Sequence, residues 1–202
     1  MKIFKNLLLG AAIASTINTS SQNNYKGWFT SNSLIDFSGT TPIKKVFGST
    51  PDPVSALNSA YDSEGKLLFY ISGNSIINKF NNIIGNLTAP LGFSIAQVDE
   101  ISIVPFPNNN GCQNKFYVLY KILNNSGNTG NIRFGTVDMN ANNFQGNLTI
   151  SSTDISYTGL TNPHIAVGKI NSNGKRFIYV QTASSLGTID VLEASNTGIV
   201  NL

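Results

Sequence analysis

The chain has 202 residues, enough for one domain with its own core, since single domains commonly run to about 100–200 residues. Only 11% of the residues are charged and the net charge is +3, with basic side chains scattered so that Lys44-Lys45 and Lys175-Arg176 are the only adjacent pairs beyond the first few residues. Phosphate binding needs a basic stripe interleaved with aromatics, so this pattern argues against a nucleic-acid partner.

The first 21 residues have the layout of a secretory leader: Lys2 and Lys5, an apolar run over residues 7–14, then small and polar residues. That run is too short to span a bilayer as a helix, which takes about 20 residues. The expectation is a signal peptide over residues 1–21 with cleavage after Ser21, a mature domain over residues 22–202, and a secreted or cell-surface location with no membrane span. A buried core helix is the alternative, and cleavage after Ala14 is a second choice of site.

Beyond the leader, apolar residues come in short runs separated by Asn, Gly, Ser and Pro, with no helical stripe. Asn is the commonest residue, and Asn and Gly tolerate the positive φ of tight turns. Runs rich in β-branched and aromatic residues predict strands over 67–72, 101–105, 116–123, 132–138, 165–169, 177–182 and 188–192.

These runs recur as a unit of strand, polar turn, basic residue, strand carrying Tyr, loop and third strand. Tyr70, Tyr117 and Tyr179 are taken as equivalent anchors. Four-stranded propeller blades take about 40–45 residues. The first Tyr interval fits that length, and the second needs an insertion, for which residues 124–131 and 140–161 offer room. The fold expected is all-β, with about three antiparallel blades of β-propeller type. A β-sandwich is the alternative, because its strands also arrive with frequent turns.

Little in the chain points to catalysis. Cys112 is the only cysteine and lies in a turn-like run, Asn110-Gly111-Cys112-Gln113, so no internal disulfide can form. His164 is the only histidine and follows Asn162-Pro163 at the start of a strand, where local packing is the simpler role. The acids are Asp36, Asp52, Asp62, Glu64, Asp99, Glu100, Asp138, Asp154, Asp190 and Glu193. A glycosidase needs two of them to converge, yet Asp99-Glu100, the one adjacent pair, would diverge on a strand. Asp62, Asp138 and Asp190 are expected to close turns or end strands. Gly127-Asn128-Thr129-Gly130 reads as a hairpin tip, lacking the Lys-Ser/Thr of a phosphate loop. No catalytic, cofactor or metal residue is therefore assigned, and no cofactor is expected.

Several stretches taken together resemble a known family: Trp28-Phe29, Leu34-Ile35-Asp36-Phe37-Ser38-Gly39-Thr40-Thr41-Pro42, Asp62-Ser63-Glu64-Gly65-Lys66-Leu67-Leu68-Phe69-Tyr70, Asn74-Ser75-Ile76-Ile77-Asn78, Ile101-Ser102-Ile103-Val104-Pro105 and Thr136-Val137-Asp138-Met139. In order and spacing they are similar to the N-terminal propeller-like domains of Bacteroidetes secreted surface proteins of the gliding-motility-associated, type IX-sorted kind. The resemblance implies an exported, non-catalytic propeller that binds protein or glycan or serves as a scaffold at the cell surface, and it carries over no catalytic residue. The roughly 180 residues after position 21 allow four blades at most, where closed propellers use about 4–8. An incomplete propeller is thus expected, with an open blade edge and an uncovered face that favour self-association. A fragment of a propeller-fold polysaccharide hydrolase, or a truncated gene product, are the other readings.

Overall fold

The computed structural model describes residues 27–30, 33–36, 41–46, 58–62, 64–95, 101–107, 114–124, 130–157, 164–181 and 189–202. The expected leader, Cys112, Asp52, Asp99 and Glu100 lie outside them.

Among the described residues, four antiparallel sheets follow one another along the chain. Sheet 1 holds β1 (Gly27–Thr30), β2 (Ser33–Asp36) and β3 (Ile43–Val46). Sheet 2 is a meander of β4 (Asn58–Tyr61), β5 (Leu67–Ser72), β6 (Ser75–Asn78) and β7 (Ile83–Asn86). Sheet 3 is built on two long central strands, β10 (Lys115–Asn124) and β11 (Gly130–Asp138). Short strands flank them: β8 (Phe93–Ile95) and β9 (Ser102–Pro105) share the free edge of β10, while β12 (Asn147–Ile150) and β13 (Ile155–Tyr157) share that of β11. Sheet 4 is a second four-stranded meander, β14 (His164–Ile170), β15 (Arg176–Gln181), β16 (Ile189–Ser195) and β17 (Gly198–Asn201). The chain is all-β, as its alternating apolar runs predict. The stretch over 140–161, expected to be an insertion, instead supplies β12 and β13, because its apolar pairs Leu148/Ile150 and Ile155/Tyr157 alternate with polar residues at strand period.

Sheet 3 is covered on both faces, and β10 explains why. Its run Phe-Tyr-Val-Leu-Tyr has no polar alternate, the pattern of a strand buried on two sides. Phe116, Val118, Tyr120 and Ile122 point into a core shared with Phe69, Ile71 and Ile76 of sheet 2. Tyr117 and Leu119, on the opposite face, join Ile132 in a core shared with Ile165, Ile178, Val180 and Leu192 of sheet 4. Burying each such side chain contributes about 1.5–3 kcal/mol.

Three hairpin turns share one hydrogen-bond pattern. Asp62 Oδ1 accepts from the N–H groups of Glu64 and Lys66, at 2.9 and 2.8 Å. The Asp62 N–H donates to Lys66 O and the Gly65 N–H donates back to Asp62 O. Asn78 repeats this with Phe80 and Asn82, both 3.0 Å, and Asn171 repeats it with Asn173 and Lys175, at 2.9 and 3.0 Å. The fourth residue of each turn has positive φ: 77° at Gly65, 65° at Asn81 and 70° at Gly174. Only Gly and Asn adopt that backbone cheaply, so the residue types and the turn geometry have one cause. A bulge or irregular register lies in the ladder beside each turn.

Candidate binding surface

The strands of sheet 4 alternate cleanly, and each face has a different fate. Ile165, Ile178, Val180, Leu192, Ala194 and Ile199 face sheet 3 and are buried. The register places Ala166, Tyr179 and Val191 side by side on the other face, with Phe177 opposite Glu193 and Glu193 opposite Val200. Ile189 lies opposite Gln181 on that same face, and the Leu202 N–H extends the ladder by donating to Val191 O. The result is an apolar face open to solvent: Tyr179 is 41% exposed, Ile189 62%, Val200 54% and Leu202 71%. At Gly168 an added Cβ would sit 3.4 Å from Tyr179 Cε2, so the tyrosine ring covers the strand where the glycine lacks a side chain. An ion pair on the face is internal to the chain, Lys175 Nζ to Glu193 Oε1 at 2.8 Å.

The remaining described acids are held in structural roles. Asp62 closes its turn, and Glu64 pairs with the exposed Lys66. Asp138 ends β11, pairs with Lys115 at 2.9 Å across the ladder and accepts from the Asn140 N–H. Asp154 faces Arg133 Nε at 3.4 Å in a largely buried position, where Arg133 also donates to Ser151 O. Asp36 is the last residue of β2. Asp190 is the second residue of β16, so it neither closes a turn nor ends a strand. Asp190 and Glu193 lie on opposite faces of that strand, since Asp190 sits beside Val180 and Glu193 beside Phe177. His164 opens β14, as its position after Pro163 predicts. The 124–131 hairpin joins β10 to β11, and its tip lies outside the described residues. Among the described residues no group of three His, Cys, Asp or Glu is placed to hold a metal ion.

Two polar clusters escaped sequence reasoning. The buried Asn78 donates through Nδ2 to Gln145 O at 2.8 Å, tying the β6–β7 turn to the β11–β12 connection. That connection contains α1 (Ala141–Phe144), a helical turn that is left-handed at Asn142, Asn143 and Phe144, with φ of 51°, 55° and 63°. Asn tolerates this backbone and Phe does not, so Phe144 is held there at a cost. The second cluster joins Tyr117 and Tyr120 to distant carbonyls: Tyr117 donates to Ser195 O at 2.7 Å and Tyr120 to Thr88 O at 2.8 Å. Burial pushes the Tyr117 phenol up to about 12 and raises that of Tyr120. Both stay neutral donors at ordinary pH, which suits anchors rather than acid–base groups. Long-range pairing of this kind leaves no local pattern in the chain.

No family model matches the chain, and neither a curated protein nor a solved structure does. Among the described residues no helix is long and apolar enough to cross a membrane.

Proposed function

We propose that the chain is a non-catalytic binding or scaffold module of β-propeller type, acting outside the cell, with the open face of sheet 4 as its interaction surface. The observation that carries this reading is the way the sheets stack. Rungs of each ladder are counted from the turn, or the corresponding connection, that leads into the second strand of the sheet. Counted on the strand that carries no bulge at that point, the second rung holds Phe69 opposite Ala60, Tyr117 opposite Val104 and Phe177 opposite the bulge between Val167 and Ile170, and the third holds Tyr70, Val118 and Ile178. Phe69 of sheet 2 faces sheet 3, where it meets Phe116 edge-on at 5.3 Å. Tyr117 of sheet 3 faces sheet 4, while Val118 faces back to sheet 2 and Ile178 of sheet 4 faces back to sheet 3. Sheets 2 and 3 thus each offer the second-rung face to the third-rung face of the next sheet, which supports the head-to-tail stacking of propeller blades. A sandwich closes one core between two sheets, whereas sheet 3 has a core on each side. On this reading the second-rung face of sheet 4, which carries Phe177, is the next in the series.

Rung counting also replaces the tyrosine alignment. Tyr70 lies on a third rung and Tyr117 on a second, because the bulge between Tyr61 and Ala60 inserts Leu68 into β5. The equivalent residue of β10 to Tyr70 is Val118.

The absence of catalysis is tested by incubating the purified protein with a panel of soluble polysaccharides and assaying reducing ends. None should be released. Release that disappears in Asp190→Asn or Glu193→Gln would overturn the non-catalytic reading in favour of a hydrolase.

A further inference from the structure

The occupant of the open face of sheet 4 is readable from its chemistry. We infer that this face is the contact through which two copies of the chain associate, face to face, about a two-fold axis. The inference rests on the reading of that face as an interaction surface and assigns its partner.

Three features of the face favour a second copy. The first is its composition: Phe177, Tyr179, Ile189, Val191, Val200 and Leu202 come from three adjacent strands and form an apolar patch around Glu193. Such side chains pack against a like surface as the inner faces of two stacked sheets do, about 10 Å apart. The second is charge. Glu193, which lies within the patch between Phe177 and Val200, is already paired with Lys175 of the same chain, so two copies bring a neutralised pair and no unpaired like charge from either residue into the contact. The whole chain adds little repulsion, with a net charge of +3 and only 11% charged residues. A protein partner recognised by charge would need a complementary set here, and the patch offers none beyond that internal pair.

The third is area. The exposed apolar surface of the face is on the order of 500 Å², at the upper end of what monomers leave uncovered. Two such faces bury about 1,000 Å² in total, the floor for a weak biological interface. The association should therefore be weak and reversible. Because it is apolar, it should change little between about 0.1 and 1 M salt.

Sedimentation velocity of the full chain over about 5 to 500 µM tests this. The expected result is a monomer–dimer equilibrium in that range. Tyr179→Lys and Leu202→Lys should each weaken it at least tenfold, since either lysine would be buried against its symmetry mate. Leu202 is 71% exposed, so its substitution leaves the fold intact even if Tyr179→Lys does not. Phe80→Lys, at an exposed apolar position on the β6–β7 turn, should leave the dimer unchanged. A monomer at every concentration would overturn the second-copy assignment, and so would association that survives Leu202→Lys. Neither result touches the non-catalytic reading, which fails only on the release of reducing ends.

Discussion

The two cores that flank sheet 3 are closed by different means. Between sheets 2 and 3 the backbones themselves come close. A Cβ added at Gly85 would lie 2.6 Å from Leu148 Cβ, and one at Gly135 would lie 2.9 Å from Leu148 Cδ1, so Leu148 fills space left by two glycines. Polar ties from Asn58 to Ile101 O, Asn78 to Gln145 O and Tyr120 to Thr88 O fasten the same region. Between sheets 3 and 4 one aromatic cluster dominates. Tyr117 stacks on Phe106 at 4.1 Å, meets Phe134 edge-on at 5.9 Å and donates to Ser195 O. The first core is thus held by steric fit spread over many residues, and the second by a hub whose polar end can be titrated.

The largest expected effect is at the centre of the first core. Phe69 is fully buried against Phe116, so Phe69→Ala should cost about 3–5 kcal/mol, read as a loss of denaturant midpoint. A cost below about 1 kcal/mol would mean that the core collapses freely and is not closed by fit.

Next in size is a pH effect that is largest in the second core, while burial also raises the phenols of Tyr120 in the first core and of Tyr70. The Tyr117 phenol ionises near 10 when unfolded and at about 12 when folded. Its neutral form is therefore favoured by folding, and that contribution is fully present below pH 10 and is lost as pH rises from 10 through 12. Two pH units correspond to about 2–3 kcal/mol. Tyr117→Phe should remove this part of the alkaline loss, while giving up about 1 kcal/mol of hydrogen bonding at neutral pH. Unfolding curves of both proteins at pH 9 and 12 check it, and equal alkaline losses would remove Tyr117 as the titrating hub.

The smallest effect sharpens the contrast from the other side. Gly85→Ala puts a methyl group against Leu148 Cβ, an atom fixed to its own backbone, and should cost about 2 kcal/mol by overpacking. The same substitution at Gly198, where nothing lies within 4 Å of the added Cβ, tests backbone strain alone, since its φ is 152°. If both cost the same, the close approach of β7 to β12 is not what makes Gly85 necessary.

Much of the fold can be read along the chain. The strand over 67–72 has the same bounds as β5, because Leu-Leu-Phe-Tyr-Ile lies between a turn ending at Lys66 and another at Gly73-Asn74. The Asn and Gly of the turn at 171–175 specify its geometry by themselves. Short strands such as β8, β13 and β17 were harder to find, since three or four residues carry too little periodicity to stand out. The candidate surface was only half legible. An uncovered face was expected from the chain's length, but not which one, because Arg-Phe-Ile-Tyr-Val is apolar on both sides and resembles β10.

Local chemistry, then, determines that this protein is all-β and where its chief turns lie, because strand and turn preferences act within a few residues. Tertiary structure decided which faces are buried. The bulge at Leu68 shifts β5 by one residue against β4, and with a side-chain period of two, one residue exchanges the faces. Tyr70, Tyr117 and Tyr179 look alike in the chain, yet their surroundings differ. In the fold, Tyr117 is a buried hub between two sheets and Tyr179 stands on an open face.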